Sequence, residues 1–186
     1  FPQDHMDFAY ENGNDALALT DHGNMNGLAY QVLHAKKMKS QGKEFKPIYG
    51  CEAYFVPSVT EWREEYERAK EDKKRARALA KSQAGLSVED EGATKSGNNN
   101  ILNRRRHLVL IAQNQTGLNN LFRLISDSYT EEYFYRYPRI DYDLLKKYGE
   151  GIIAASACLG GVYAGCLWEN REQGDEAVLE AMREVT

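Results

Sequence analysis

Five side chains in this sequence combine reactive chemistry with a telling position. Asp21 and His22 come directly after the apolar run DALALT at 15–20. Imidazole and carboxylate are both good ligands for zinc, manganese or iron, and the Gly23 and Asn24 that follow permit a tight turn carrying the side chains outward. The same pair also suits a helix N-cap beside a hydrogen-bonded histidine. Glu52 lies in GCEAYF, a run otherwise fit for burial, where an unpaired carboxylate is costly. It needs a partner, either a cation or a lysine or arginine. His107 opens HLVLIA and could equally be a satisfied imidazole, since it precedes its apolar run instead of following it. Cys158 follows GIIAASA in SACLGG; with no local histidine to act as base, thiolate ligation or burial is favoured over covalent catalysis. Cys51 and Cys166 sit among apolar or small residues and read as core, and His5 and His34 as structural or exposed.

The elements that must position these groups alternate along the chain. A helical stretch with Met6, Ala9 and Tyr10 on one face stops at Gly13 and leads into a buried strand at 15–20. A second helix over 28–38 and the β-like run PIYGCEAYFV at 47–56 complete a strand–helix–strand unit, which predicts a parallel crossover. The rhythm returns with HLVLIA at 107–112, a helix over Leu118, Leu121, Phe122 and Ile125 opened by Thr116, and GIIAASA at 151–157. In such an α/β arrangement, loops after the carboxyl ends of parallel strands converge on one face, which is where Asp21, His22 and Cys158 fall.

Residues 57–106 break the rhythm. They carry 12 basic and 9 acidic residues, leaving 12 against 19 elsewhere. Ser58 and Glu61 form a capping box, and Trp62, Tyr66, Ala69, Ala76 and Ala80 recur at three- and four-residue steps with Lys73 interrupting, so the first half reads as a helix. The second half is rich in Gly, Asn and Ser and reads as a long mobile loop. Arg104, Arg105 and Arg106 are a weak pointer to nucleic-acid contact, because clustered guanidiniums neutralise phosphates. The organisation is thus 1–56 and 107–186 as parts of one domain, with 57–106 as a charged insertion.

Composition removes several classes of function. At 186 residues, 42% hydrophobic and 28% charged, the chain has the material for one domain with a sizeable core. A net charge of -4 argues against a wholly basic nucleic-acid binder. No apolar run reaches the ~20 residues of a membrane helix, and FPQDHMDFAY lacks the pattern of a signal peptide, so a cytoplasmic location without membrane contact is expected. Three cysteines do not make a disulfide framework. The phosphate-binding GxxxxGK[ST], a GxGxxG after a strand, HExxH and paired CxxC motifs are absent.

The segments ALALTDHGN, PIYGCEAYF, HLVLIAQNQTGLNNLFRLIS, YPRID and GIIAASACLGG, in that order, resemble the amino-terminal PHP (polymerase and histidinol phosphatase) domain of bacterial replicative DNA polymerase III alpha subunits. TDHG alone points to the broad superfamily; TGLNNLFRLIS, YPRID and SACLGG together are similar to the polymerase branch. The resemblance implies a distorted (β/α)7 barrel, here partial, holding up to three divalent metal ions (Zn, Mn or Fe). By matching position it implies Asp21, His22, Glu52, His107 and Cys158 as metal ligands, with no catalytic residue separable from them. Two family motifs have no counterpart: the two histidines near the start, for which His5 is followed by Met6 and Asp7, and the closing aspartate and histidine, since no histidine follows His107. The expectation is therefore an interior stretch of a longer polymerase chain, inactive alone.

For the parent the resemblance implies DNA-directed DNA polymerase activity in replication, with Mg at a separate polymerase site, and primer-template DNA and replisome subunits as partners. The PHP region itself would hydrolyse mispaired 3′ ends as a metal-dependent exonuclease, or serve as a non-catalytic module docking a separate proofreading exonuclease. A free-standing PHP-family phosphatase acting on a small phosphomonoester is the alternative.

Overall fold

A computed structural model describes residues 1–84 and 105–185. Helix α1 (Pro2–Glu11) starts on a proline whose fixed φ suits a first helical turn, and its Met6 and Ala9 are buried. Strand β1 (Ala16–His22) follows, then α2 (Leu28–Ser40) and β2 (Lys46–Phe55). The buried Gln31 of α2 donates to Leu17 O and Ile48 O, tying the helix to both strands, and His34 meets Asp7 of α1 at 2.9 Å. Beyond β2 come α3 (Val59–Ala84), β3 (Arg106–Ala112), α4 (Gln115–Ser128), the short strands β4 (Phe134–Tyr135) and β5 (Tyr137–Pro138), α5 (Tyr142–Tyr148) and β6 (Ile152–Ala155). Helix α6 (Val162–Asn170), a 3-10 turn at Arg171–Gln173 and α7 (Asp175–Glu184) end the described chain.

The α/β class agrees with the expectation, and the main sheet has the order β1-β2-β3-β6. The first crossover is parallel, with His22 level with Glu52. The second unit differs from the sequence reading: β3 is antiparallel to both β2 and β6. The physical reason is the insertion. It leaves the sheet after Phe55 and returns at Arg106, and these two residues are opposite one another in the β2–β3 register. A chain that re-enters beside its exit must run back down the sheet. The start of β3 therefore lies at the same end as the finish of β1 and β2.

Strand alternation divides the sheet into two faces. Ala53, Phe55 and Leu110 point to one side and are buried with Leu121, Leu124, Ile140, Leu144 and Val162, so α4 and α5 cover that face. Helix α4 begins at Asn114, whose side chain accepts from Gly117 N at 2.9 Å, and not at Thr116 as the sequence suggested. An extended Asn114 can reach the free N–H of the first turn, whereas Thr116 is already inside the helix. The opposite face carries His22, Glu52, Tyr54, His107, Val109 and Ile111, with Ile153 of β6 half exposed.

Helix α3 packs on the rest of the molecule at its base. Glu61 N donates to Ser58 Oγ, which is half of the expected capping box. Val56, Val59 and Trp62 form a small core with Tyr66, Tyr133 and Tyr135. Ala76 and Ala80 of the expected stripe are exposed. The loop expected in the second half of the insertion lies outside the described residues. The segment YPRID supplies much of the anchor. Asp141 is buried and caps two helices at once, accepting from Leu144 N of α5 at 3.0 Å and from Val59 N of α3 at 3.1 Å. Each lost cap costs about 1 kcal/mol. Replacing Asp141 by alanine is expected to speed hydrogen exchange of the Val59 and Leu144 amides by about fivefold each, a local opening measurable by mass spectrometry.

Candidate metal centre

Three strands deliver one side chain each to the same end of the open face. His22 is the last residue of β1, Glu52 its neighbour on β2, and His107 the second residue of β3. Glu52 Oε1 lies 2.7 Å from His107 Nδ1 and 3.5 Å from His22 Nδ1. One ligand atom from each residue can be chosen so that all three lie within 4.8 Å of one another. Two donors on one ion at about 2.1 Å each are ~3.4 Å apart in a tetrahedron, so the set fits a divalent metal with small side-chain adjustments. The donors are two imidazoles and a carboxylate, the mixture that zinc, manganese and iron accept. The carboxylate is mostly covered while His22 is well exposed, which leaves the outer side of the cluster open to a water or a substrate oxygen.

The turns behind the strands hold this arrangement. Gly23 adopts φ +68°, and its N–H donates to Glu52 O at 2.8 Å, locking the end of β1 onto β2. A side chain there would press on Pro138 and Tyr54 as well as strain the backbone. Where β1 stops, the YPRID segment takes its place: Ile140 N donates to Tyr54 O and Val56 N to Ile140 O. Where β6 stops, the Cys158 loop does the same for β3, with His107 N donating to Gly160 O at 2.9 Å.

Cys158 is exposed, and its Sγ stands 3.5 Å from His107 Nδ1 and accepts from Gly160 N. Ala157 just before it has φ 58°, an uncommon value for alanine that swings the thiol back toward the histidine. The thiol thus borders the three-residue cluster through His107 without being one of its closest members. Asp21 does not join it. Its side chain leaves the opposite face of β1 and Oδ2 accepts from Gly27 N at 2.7 Å, at the start of α2, where a negative charge favours the helix dipole. Of the Asp21–His22 pair, Asp21 serves the start of α2, while His22 stands in the group of side chains able to hold a metal.

The other cysteines behave as core. Cys51 is fully buried, and burial pushes its thiol up to about 12. Burial also raises Cys166. Iodoacetamide is therefore expected to label Cys158 well ahead of Cys51 and Cys166, and saturating zinc to slow the labelling of Cys158. Peptide mapping checks both outcomes; labelling indifferent to zinc would remove the thiol from the centre.

Arg106 pairs with Glu169 and packs against Gly165 of α6, which gives it a structural task. Arg105 lies over Tyr137 at 4.1 Å and over Tyr54 at 5.3 Å. Arg104 lies outside the described residues. Sequence reasoning missed the two tyrosines: Tyr54 packs on both histidines, with ring centroids 6.3 Å from His22 and 5.6 Å from His107, and Tyr137 meets Tyr54 edge-on at 5.5 Å. The signal for Tyr54 was available, because it lies two residues beyond Glu52 and so shares its face. Tyr137 had none, since it arrives from a distant hairpin. Buried Arg139 fixes that hairpin by donating to Tyr135 O and Tyr137 O while lying 3.8 Å from the Trp62 ring. Burial, then the nearby Arg105 and Arg63, lower its guanidinium to about 10, which leaves it charged at neutral pH.

The mixed sheet gathers histidine, carboxylate and thiol at one end of its open face, and the sequence profile described as PHP domain matches residues 2–186: the chain belongs to that family. Its relatives are more particular. It is 38% identical over 155 residues, 83% of this chain, to the DNA polymerase III subunit alpha of Aquifex aeolicus. It is 37% identical over 175 residues, 94% of this chain, to the protein of that name from Deinococcus radiodurans, and 36% over 155 residues to that of Borreliella burgdorferi. Each alignment spans 10% of the relative's length. Among the described residues no helix is long and apolar enough to cross a membrane.

Proposed function

We propose that this chain is the PHP segment of a bacterial replicative DNA polymerase III alpha subunit, and that His22, Glu52 and His107, with Cys158 alongside, hold divalent metal for phosphodiester hydrolysis at a primer 3′ end. The convergence of those three donors from three strands carries the reading. The four-stranded sheet is read as an arc of the seven-unit barrel, with the flanking parts of the longer polypeptide completing both barrel and ligand set. Asp21 belongs to this reading as a residue that sets the turn beside His22.

Zinc, manganese or iron bound here would activate a water and neutralise phosphate oxygens. The chain's own part is positional. Glu52 holds His107 in one orientation through its 2.7 Å contact, and the exposed side of His22 leaves room for a phosphate to approach. In the whole protein, templated nucleotidyl transfer belongs to a separate Mg-dependent site, and primer-template DNA and replisome subunits are the partners, in the cytoplasm.

The test uses the full-length polypeptide. Elemental analysis is expected to find zinc, manganese or iron, and a 3′-mispaired primer to be shortened by an activity that chelation abolishes and manganese restores. A metal-free protein with no shortening would make the region a module that docks a separate exonuclease. Hydrolysis of small phosphomonoesters but not of the primer would favour the phosphatase reading.

A further inference from the structure

Beside the metal cluster stands a group of side chains that metal binding does not require. Tyr54 lies opposite His107 in the β2–β3 register and two residues beyond Glu52. Arg105 stands two residues before His107, about 7 Å further outward by strand rise. Its guanidinium lies 4.1 Å from the Tyr137 ring centroid and 5.3 Å from that of Tyr54. Tyr137 remains 39% exposed and comes from the hairpin that Arg139 ties down. An aromatic wall thus begins on the histidines, continues through Tyr54 and Tyr137 and ends on a cation.

We propose that Arg105, Tyr137 and Tyr54 form a shelf that receives the terminal base of a single-stranded nucleic-acid end while its phosphodiester lies at the His22–Glu52–His107 cluster. The proposal rests on the metal-centre reading and names its substrate class. Tyrosine rings and arginine planes are the surfaces on which unpaired bases stack, whatever their sequence. A terminal base still paired must first be unpaired and unstacked before it can swing onto such a shelf, so frayed or mispaired ends are selected over paired ones. A small phosphomonoester without an aromatic group would gain no stacking from it. The cation serves twice, stacking through its plane and drawing the polyanion toward the cluster.

The experiment irradiates the full-length polypeptide, with manganese present, on an oligothymidylate ending in 5-iododeoxyuridine, maps the crosslinked peptides, and measures metal content in parallel. An adduct at Tyr54 or Tyr137 is expected. Arg105→Ala should reduce it by about tenfold, the order of one lost stacking partner. Tyr137→Phe should keep it, and both variants should hold as much metal as the wild type. No adduct in these peptides, or an adduct unchanged by Arg105→Ala, overturns the shelf even if the metal is present. An adduct on a protein that binds no metal supports the shelf and refutes the metal centre, so the two failures are separable.

Discussion

Changing Glu52 to glutamine is expected to lower the metal affinity of the full-length polypeptide by more than about 100-fold and to remove any metal-dependent hydrolysis with it. Glu52 is the member that both histidines share, at 2.7 and 3.5 Å. Losing an outer-shell partner of a metal ligand already costs about 10–100-fold, and here a proposed ligand itself changes. The amide is nearly isosteric, so the fold should survive; what disappears is the charge that offsets a dication. Glutamine can still accept from one imidazole, so the orientation of His107 should be partly kept. Isothermal titration with zinc or manganese after chelator treatment measures the effect directly. A variant that binds metal as tightly as the parent would show that the His22–Glu52–His107 contacts are a structural ion-pair group.

The largest effect on stability is expected at Gly117. A Cβ built there falls 1.8 Å from Gly151 O and 2.5 Å from Gly151 C, both backbone atoms that no rotamer change can move. A Cβ on Gly151 would in turn fall 2.6 Å from Asn114 Oδ1, the cap of α4, and 2.7 Å from Gly117 N, so neither backbone leaves room for a side chain. Gly117→Ala must therefore push α4 away from the turn before β6, parting Leu121 and Leu124 from the core that Ala53, Phe55 and Leu110 form with them. Overpacking of this kind costs about 1–3 kcal/mol, and a rigid backbone neighbour puts the change at the upper end. In hydrogen exchange, amides of α4 and β6 should lose protection together while those of α1 and α2 keep theirs. Unchanged exchange in α4 would mean that the turn at Gly151 yields cheaply.

Much of the molecule was legible before any coordinates. The apolar runs at 15–20, 47–56, 107–112 and 151–157 correspond to β1, β2, β3 and β6, because a strand needs a short β-prone run bounded by turn residues, and that is a local property. Burial is not local, and no residue of β1 or β6 is buried, unlike the strand interior expected at 15–20. The helix at the base of the insertion was legible for the same reason, through Ser58 and the Trp62–Tyr66 spacing. Asp21, His22 and Cys158 were named by type and by their place after strands, Glu52 as a carboxylate in need of a partner, and His107 as a ligand through the family resemblance alone. His107 shows where local reading stops. It precedes its run, and in an all-parallel sheet it would lie at the end away from His22 and Cys158. Only the reversal of β3, a consequence of an insertion whose two ends meet at Phe55 and Arg106, brings it to the others.

Asp21 marks the same boundary from the other side. Adjacent to His22 in sequence, it has equal credentials as a ligand. The alternation of side chains along β1 nevertheless sends the two to opposite faces, and the Gly27 N–H takes the carboxylate. Periodicity, capping and residue chemistry act over a few neighbours, so the sequence by itself determined the elements, their order and the inventory of groups able to bind metal or phosphate. Strand direction, the choice of face and the approach of a distant hairpin depend on which surfaces pack when the chain closes on itself. Tertiary structure alone decided that the side chains of His22, Glu52 and His107 meet at one end of the open face, that Tyr137 and Arg105 stand beside them, and that Asp21 accepts from Gly27 N at the start of α2.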